Sequence, residues 1–205
     1  MAISKSNGNS KRTQSAEKTK NTINTIALKL FRKYGFDRVT VDDIVKRAGV
    51  SKGAFYLYFK SKDEVLIKLF KQIDSIYEKI YVSMPKKSSA MKKLLGINKA
   101  MCEYCTKEIG IDVVKIMYAN QIGMGHRTNF LSNRNRDLYK ILCEIIRQGI
   151  EQKEFAKGLT EEQIVDIVSC SLRANLYEWC LHDGKEDLLE KGEQYMKYVL
   201  KGISA

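Results

Sequence analysis

Between Thr40 and Lys62 the sequence sets small, hydroxyl-bearing, basic and aromatic residues at spacings that suit contact with a phosphate backbone. Thr40 is placed to cap a short helix through Ala48, and Asp42 and Asp43 suit its positive N-terminal end. Asp43 stands where a capping box would have Glu or Gln, so the box is expected to be imperfect. Gly49 can adopt the left-handed conformation that turns the chain sharply. Ser51 then caps a second short helix, Lys52 to about Phe59. Phe55 and Phe59, spaced i, i+4, are expected to face Ile44, Ala48 and Val50, leaving Ser51, Lys52, Tyr56 and Tyr58 outside. Two short helices joined by Ala48-Gly49-Val50 make a helix-turn-helix. In such a unit the first helix braces on the DNA backbone and the second enters the major groove.

The charge supports that chemistry. The 205 residues hold 36 Lys and Arg against 24 Asp and Glu, a net of +12. Residues 1–62 carry 14 basic and 4 acidic side chains; the remaining 143 residues are nearly balanced. A basic surplus at one end reads as a polyanion-binding module joined to a near-neutral one.

Other reactive residue types form weaker patterns. Cys102 and Cys105 make a C-x-x-C, with Cys143, Cys170 and Cys180 elsewhere. An odd count, without a second C-x-x-C or paired histidines at zinc spacing, argues against a disulfide framework or metal site. Buried small thiols are expected, with a thiol-based redox sensor as an alternative. His126 and His182 flank helix ends. There is no P-loop, no glycine-rich dinucleotide fingerprint after a strand and no H-E-x-x-H, so neither an enzyme nor a cofactor is expected.

These residues need a helical frame. Proline occurs once, at Pro85, and the hydrophobic share is 44%. Apolar runs are too short to span a membrane, and the polar N-terminus has no apolar signal segment, so a cytoplasmic location is expected. Residues 1–17 read as a disordered basic tail. A helix from about Lys18 places Ile23, Ile26, Ala27, Leu30, Phe31 and Tyr34 on one stripe, with Gly35 at its end. Ser61-Lys62-Asp63-Glu64 reads as a capping box opening a long helix that ends near Met84-Pro85. Further helices are expected near Ser88–Glu108, Asp112–Ile122 and Arg134–Lys153, with a break at Gly123-Met124-Gly125-His126. Thr160-Glu161-Glu162-Gln163 is another capping box. It opens a helix carrying Ile164, Ile167, Val168, Ser171, Leu172, Asn175, Leu176 and Trp179. A last helix carries Leu188, Leu189, Tyr195, Met196, Val199, Leu200 and Ile203. The expected fold is all-α, with about nine helices: a three-helix DNA-binding domain over residues 18–62 and a larger bundle over 63–205.

Residues Lys18 to Leu69 resemble the DNA-binding domain of TetR-family transcriptional regulators. The likeness rests on Ala27-Leu28-Lys29-Leu30-Phe31 with Tyr34-Gly35-Phe36, Thr40-Val41-Asp42-Asp43-Ile44, the run Ala48 to Phe59, and Lys62-Asp63-Glu64-Val65-Leu66. It covers about a quarter of the chain. Arg147 to Phe155 echoes the family weakly, with Lys153 where many relatives have glycine. The resemblance implies that Thr40 offers its hydroxyl and the helix N-terminus to a phosphate. Ser51 is open between cap and phosphate contact. Lys52 would add charge at the mouth of the recognition helix, and Gly53 would allow close approach to base edges. Tyr56 would meet a phosphate or sugar. Ala54 and Leu57 would make apolar contacts, Leu57 standing where relatives often have a polar or aromatic residue. Tyr58 is open between core edge and backbone contact. Lys62 would grip another phosphate.

Two recognition helices one DNA turn apart read a palindrome. The wide apolar stripes of the last two helices suit a homodimer built as a four-helix bundle, as the resemblance also implies. The residues expected at that interface are Ile164, Ile167, Val168, Leu172, Leu176, Trp179, Tyr195, Met196 and Val199. The middle helices carry Met101, Tyr104, Cys105, Met117, Tyr118, Met124, Phe130 and Tyr139. Such a soft and aromatic set could line an adaptable pocket, which the family places here, or be plain core. The expected function is a ligand-responsive repressor. It would bind double-stranded DNA at a palindromic operator and be released by an apolar or amphipathic effector. An architectural or cell-cycle DNA-binding protein without effector is the alternative.

Overall fold

The computed structural model describes residues 6–123 and 130–205. Among the described residues the helices are α1 (Ser6–Tyr34), α2 (Val41–Ala48), α3 (Lys52–Tyr58), α4 (Lys62–Ser83), α5 (Ala90–Tyr104), α6 (Ile111–Gly123), α7 (Asp137–Glu151), α8 (Glu161–Leu181) and α9 (Leu188–Ile203). A π-helical turn, Cys105–Ile109, extends α5. The chain divides into two compact units, Met1–Lys68 and Leu69–Ala205. The division falls inside α4 rather than before Asp63. The first turns of α4 bury Val65 and Leu66 in the first unit.

In the first unit, α2 and α3 pack on α1. Its core is Ile23, Ala27, Phe31, Ile44, Phe55 and Phe59. Phe31 meets Phe36 edge-on at 4.9 Å, the favoured geometry for two rings. Tyr34, expected on the apolar stripe, is exposed. Helix α1 begins at Ser6, well before the expected start, so residues 6–17 are helical here where a disordered tail was expected. Thr19 and Thr22 return their hydroxyls to the carbonyls of Ser15 and Lys18, so these polar side chains find partners within the helix itself. Met1–Lys5 lie outside the described residues.

The second unit is a bundle in which α8 packs against α6, α7 and α9, and α5 against α7 and α9. Leu94, Ile97, Leu142, Ile145 and Ile146 are among its largest fully buried side chains. Capping residues hold the helix ends. Thr160 and Gln163 form the expected reciprocal box. At α4 the pattern differs, because the Glu64 carboxylate reaches the Lys60 backbone N–H. Residues 147–155 have a structural role. Glu154 accepts hydrogen bonds from the Ala90 and Met91 amides at the start of α5. Gly149 leaves room for the Phe155 ring and for Ala90, whose Cβ would lie 2.6 Å from an added methyl. The chain closes by an antiparallel bridge from Phe155 to Ser204. Of the expected break after α6, Met124 to His126 lie outside the described residues.

Candidate functional site

The outward surface of α3 is set by what holds its inward one. Phe55 and Phe59 are 0% and 2% exposed, one helical turn apart. That fixes the opposite face, where Tyr56 and Leu57 are 51% and 76% exposed. Ser51, Lys52 and Gly53 are exposed at the start of the helix, while Ala54 and Tyr58 are half-buried at its flanks. Ser51 Oγ accepts from the Ala54 N–H, so its cap role is filled. A methyl at Gly53 would meet nothing nearer than Ser51 Oγ at 3.8 Å. The glycine therefore keeps the helix low at a point that faces solvent.

Helix α2 is aimed by a complete capping box. Thr40 N–H donates to Asp43 Oδ2 at 2.9 Å, and Asp43 N–H donates to Thr40 Oγ1 at 3.2 Å. Aspartate closes the box because the Thr40 hydroxyl also donates to Oδ2, at 2.6 Å. These bonds hold the Asp43 carboxyl below its ordinary range. Gly49 takes φ 67°, the left-handed turn expected between the helices. Lys52 Nζ lies 2.8 Å from Asp42 Oδ1, an exposed pair linking the two helices. The hydrogen bond to Asp42 raises the Lys52 pKa.

Lys62 differs from expectation. Its ammonium donates to the carbonyls of Phe36 at 2.7 Å, Val39 at 3.1 Å and Asp37 at 3.3 Å. The expected residues thus gather on one unit, with Lys62 turned onto the α1–α2 loop. Sequence reasoning passed over Arg38, Lys46 and Arg47. They border, with Leu30 and Tyr34, a cleft of about 540 Å³ beside α2. Their place within the basic segment was the available clue.

In the second unit, Met101, Cys105, Met117, Tyr118 and Tyr139 are buried, and Tyr104 and Phe130 half-buried. Met124 lies outside the described residues. Polar links join part of this set. Tyr118 Oη donates to the Arg173 carbonyl at 2.7 Å, and Arg173 Nη1 donates to Tyr139 Oη at 2.7 Å. The Phe130 ring lies over the Arg136 guanidinium at 4.1 Å, and Arg136 pairs with Asp74. Burial drives the Tyr77 and Tyr118 phenols well above their ordinary range. Asp74, Arg136 and Arg173 were not singled out from sequence, because their partners are far away along the chain.

Residues 25–69 match the model of the bacterial regulatory proteins of the tetR family. The match spans α2, α3 and the parts of α1 and α4 that pack with them, so this segment is similar to the DNA-binding part of that family. A fatty acid metabolism regulator of Bacillus subtilis is 24% identical over 178 residues, 86% of this chain and 91% of that protein. The transcriptional repressor KstR2 of Mycobacterium tuberculosis is 25% identical over 183 residues, 87% of this chain and 90% of the repressor. Among solved structures, FadR of Bacillus subtilis in complex with stearoyl-CoA superposes with TM-score 0.72 at 24% identity. It covers 89% of this chain and 98% of that one.

The outer face of α8 and α9 differs from expectation. Ile164, Val168, Leu172, Trp179 and Met196 are all buried within the single chain. Neighbouring helices on several sides of α8 use up that face. Ile167, Leu176 and Val199 are half-buried. The exposed stripe instead runs through Cys170, Ala174, Tyr177 and Leu181 on α8, with Tyr195 and Tyr198 on α9. The α8 positions recur at alternating steps of four and three, so they share one side.

The C-x-x-C thiols are buried too. Burial pushes Cys102 up to about 12 and Cys105 higher still, and Cys180 up to about 11. Protonated thiols are poor nucleophiles, so this environment does not favour redox sensing.

Proposed function

We propose that the chain is a transcriptional repressor that occupies a palindromic operator as a homodimer and leaves it when an amphipathic small molecule binds its C-terminal bundle. The observation that carries this reading is the α3 surface. Lys52, Gly53, Tyr56 and Leu57 point outward from a helix locked in place by Phe55 and Phe59. Lys52 and Tyr56 supply backbone contacts, Gly53 permits close approach, and Leu57 offers an apolar surface for a thymine methyl. Thr40 presents a helix N-terminus to a phosphate.

The dimer is proposed through the exposed α8–α9 stripe. A twofold operation would bring its tyrosines and Leu181 against their copies. Repression would follow from occlusion of a promoter, in the cytoplasm, with no catalytic step. The effector class to try first is a long-chain acyl thioester or a ketosteroid, given that the relatives are named as a fatty acid metabolism regulator, a stearoyl-CoA complex and the ketosteroid regulator KstR2, and given the soft residues Met101, Met117, Tyr118 and Tyr139. Release needs a link between effector and DNA. Helix α4 supplies a continuous one, starting at Lys62 in the first unit and ending at Ser83 in the second. A ligand that prefers one placement of α4 would lower DNA affinity by its differential affinity for the two states.

The test is selection of bound fragments from the organism's own genomic DNA, with Lys52→Ala/Tyr56→Ala as control. A few palindromic sites beside promoters, lost in the variant and released by an acyl thioester, support the proposal. Many scattered sites would instead favour an architectural protein. No enrichment at moderate salt would refute DNA recognition by α3.

A further inference from the structure

Lys62 opens α4, and its side chain folds back onto the loop between α1 and α2. An ammonium has three donors and no acceptor. Here the carbonyls of Phe36, Asp37 and Val39 converge on it at 2.7, 3.3 and 3.1 Å. The same ammonium lies 4.4 Å from the centre of the Phe36 ring, within range of a cation–π contact. Phe36 and Val39 are themselves buried, so the loop cannot follow a lysine that swings away without giving up apolar contacts. Lys52 is different. Its amine is exposed and held by a single exposed carboxylate, an arrangement that a phosphate can displace at small cost.

The position of the clamp matters. The Val39 carbonyl belongs to the peptide bond whose nitrogen is that of Thr40. That nitrogen in turn donates to Asp43 Oδ2. The peptide that aims the α2 N-terminus is therefore held at both ends, from α4 by Lys62 and from α2 by Asp43. A positive charge also suits the carbonyl-rich end of α1, which closes at Tyr34.

We infer that Lys62 is a positioning residue for DNA binding: it holds the α1–α2 loop so that Thr40 meets a backbone phosphate, and it ligates no phosphate itself. The inference rests on the proposed DNA-binding role of α2 and α3. It gives α4 a direct grip on the phosphate anchor, so a shift of α4 would reach Thr40 through three hydrogen bonds.

Two measurements on the full chain test it. Hydrogen exchange of the DNA-free protein reads the clamp. In Lys62→Met the amides of residues 36–40 should exchange about tenfold faster than in the parent, because the loop loses its tether. The salt dependence of binding to a mixed-sequence duplex, and to any fragment recovered by the selection above, reads the phosphate. Each phosphate contact contributes a slope of about 0.9 in log K against log salt. Lys62→Met should lose about tenfold in affinity for the selected fragment with its slope unchanged. Lys52→Met should lose close to one contact's worth of slope with loop exchange unchanged. Lys62→Arg keeps the charge, but its planar fork does not match three convergent carbonyls, so it should behave like Lys62→Met. A slope reduced by about 0.9 in Lys62→Met, full affinity in Lys62→Arg, or unchanged loop exchange would each overturn the inference. A parent chain that binds neither duplex refutes the DNA-binding reading instead, and the exchange result then decides the clamp alone.

Discussion

The Arg136 guanidinium and the Asp74 carboxylate form a two-pronged pair inside the C-terminal unit, with Nη2 to Oδ1 at 2.7 Å and Nε to Oδ2 at 3.1 Å. Both side chains are almost wholly removed from solvent. The pair ties α4 to the N-cap position of α7. Replacing such a pair by apolar groups is often neutral, whereas removing one partner strands a buried charge. Asp74→Ala should therefore cost about 3–5 kcal/mol in urea unfolding of the bundle, and Arg136→Met a similar amount. The double variant Asp74→Leu/Arg136→Met should recover most of the loss. Additive losses in the double variant would show that the two charges are not each other's principal partners.

The Thr40–Asp43 box makes the DNA-binding unit sensitive to acid. Thr40→Ala should destabilise that unit by about 1 kcal/mol, the usual worth of an N-cap. The Asp43 carboxyl titrates below its ordinary value because Thr40 donates to its ionised form. A depressed folded pKa adds stability that is present above the unfolded carboxylate value and lost as pH falls through the lower folded one. Melting followed from neutral pH to below about pH 4 should thus show a steeper acid limb in the parent than in Asp43→Asn. Identical limbs would mean that the box does not persist in solution.

The thiols separate the buried interior from the proposed dimer face. Cys102 and Cys105 are buried, whereas Cys170 is exposed on the outer stripe of α8. A thiol reagent at neutral pH should label Cys170 first and leave Cys105 until the chain unfolds. If the stripe pairs two copies, labelling of Cys170 should slow as protein concentration rises. Leu181→Asp/Tyr198→Asp should abolish that protection and give monomers in sedimentation, with the unfolding midpoint of the isolated monomer preserved. Concentration-independent labelling would place the interface elsewhere.

Lys153 sits at φ 57°, in the left-handed region. A side chain there costs about 1–2 kcal/mol, and glycine in its place returns about 0.4–1 through the freedom of the unfolded chain. Lys153→Gly should therefore stabilise the bundle by about 0.5–1 kcal/mol in thermal or urea unfolding. A lower midpoint would show that the lysine side chain makes a compensating contact.

Much of the DNA-binding unit is legible in the sequence. Gly35, Thr40, Gly49 and Ser51 act within one turn of their own position, and so do the i, i+4 partners Phe55 and Phe59. The α8 box at Thr160 was legible for the same reason. The start of helix α1 is not legible there, because the polar run from Ser6 to Glu17 has no apolar periodicity to announce it.

The resemblance implies a phosphate for Lys62, yet its side chain is committed to a loop 23 to 26 residues earlier in the chain. Arg136 and Asp74 are 62 residues apart, and neither position alone marks a buried pair. Helix α8 is apolar on more than one side. Its composition could not say which side met α6, α7 and α9, and which was left outside. The helix-turn-helix, its turn and most helix ends follow from local residue order, since caps and turns are decided by neighbours in the chain. Which apolar face is spent inside the subunit and which charges meet depend instead on residues brought together from far apart by the packing of the bundle.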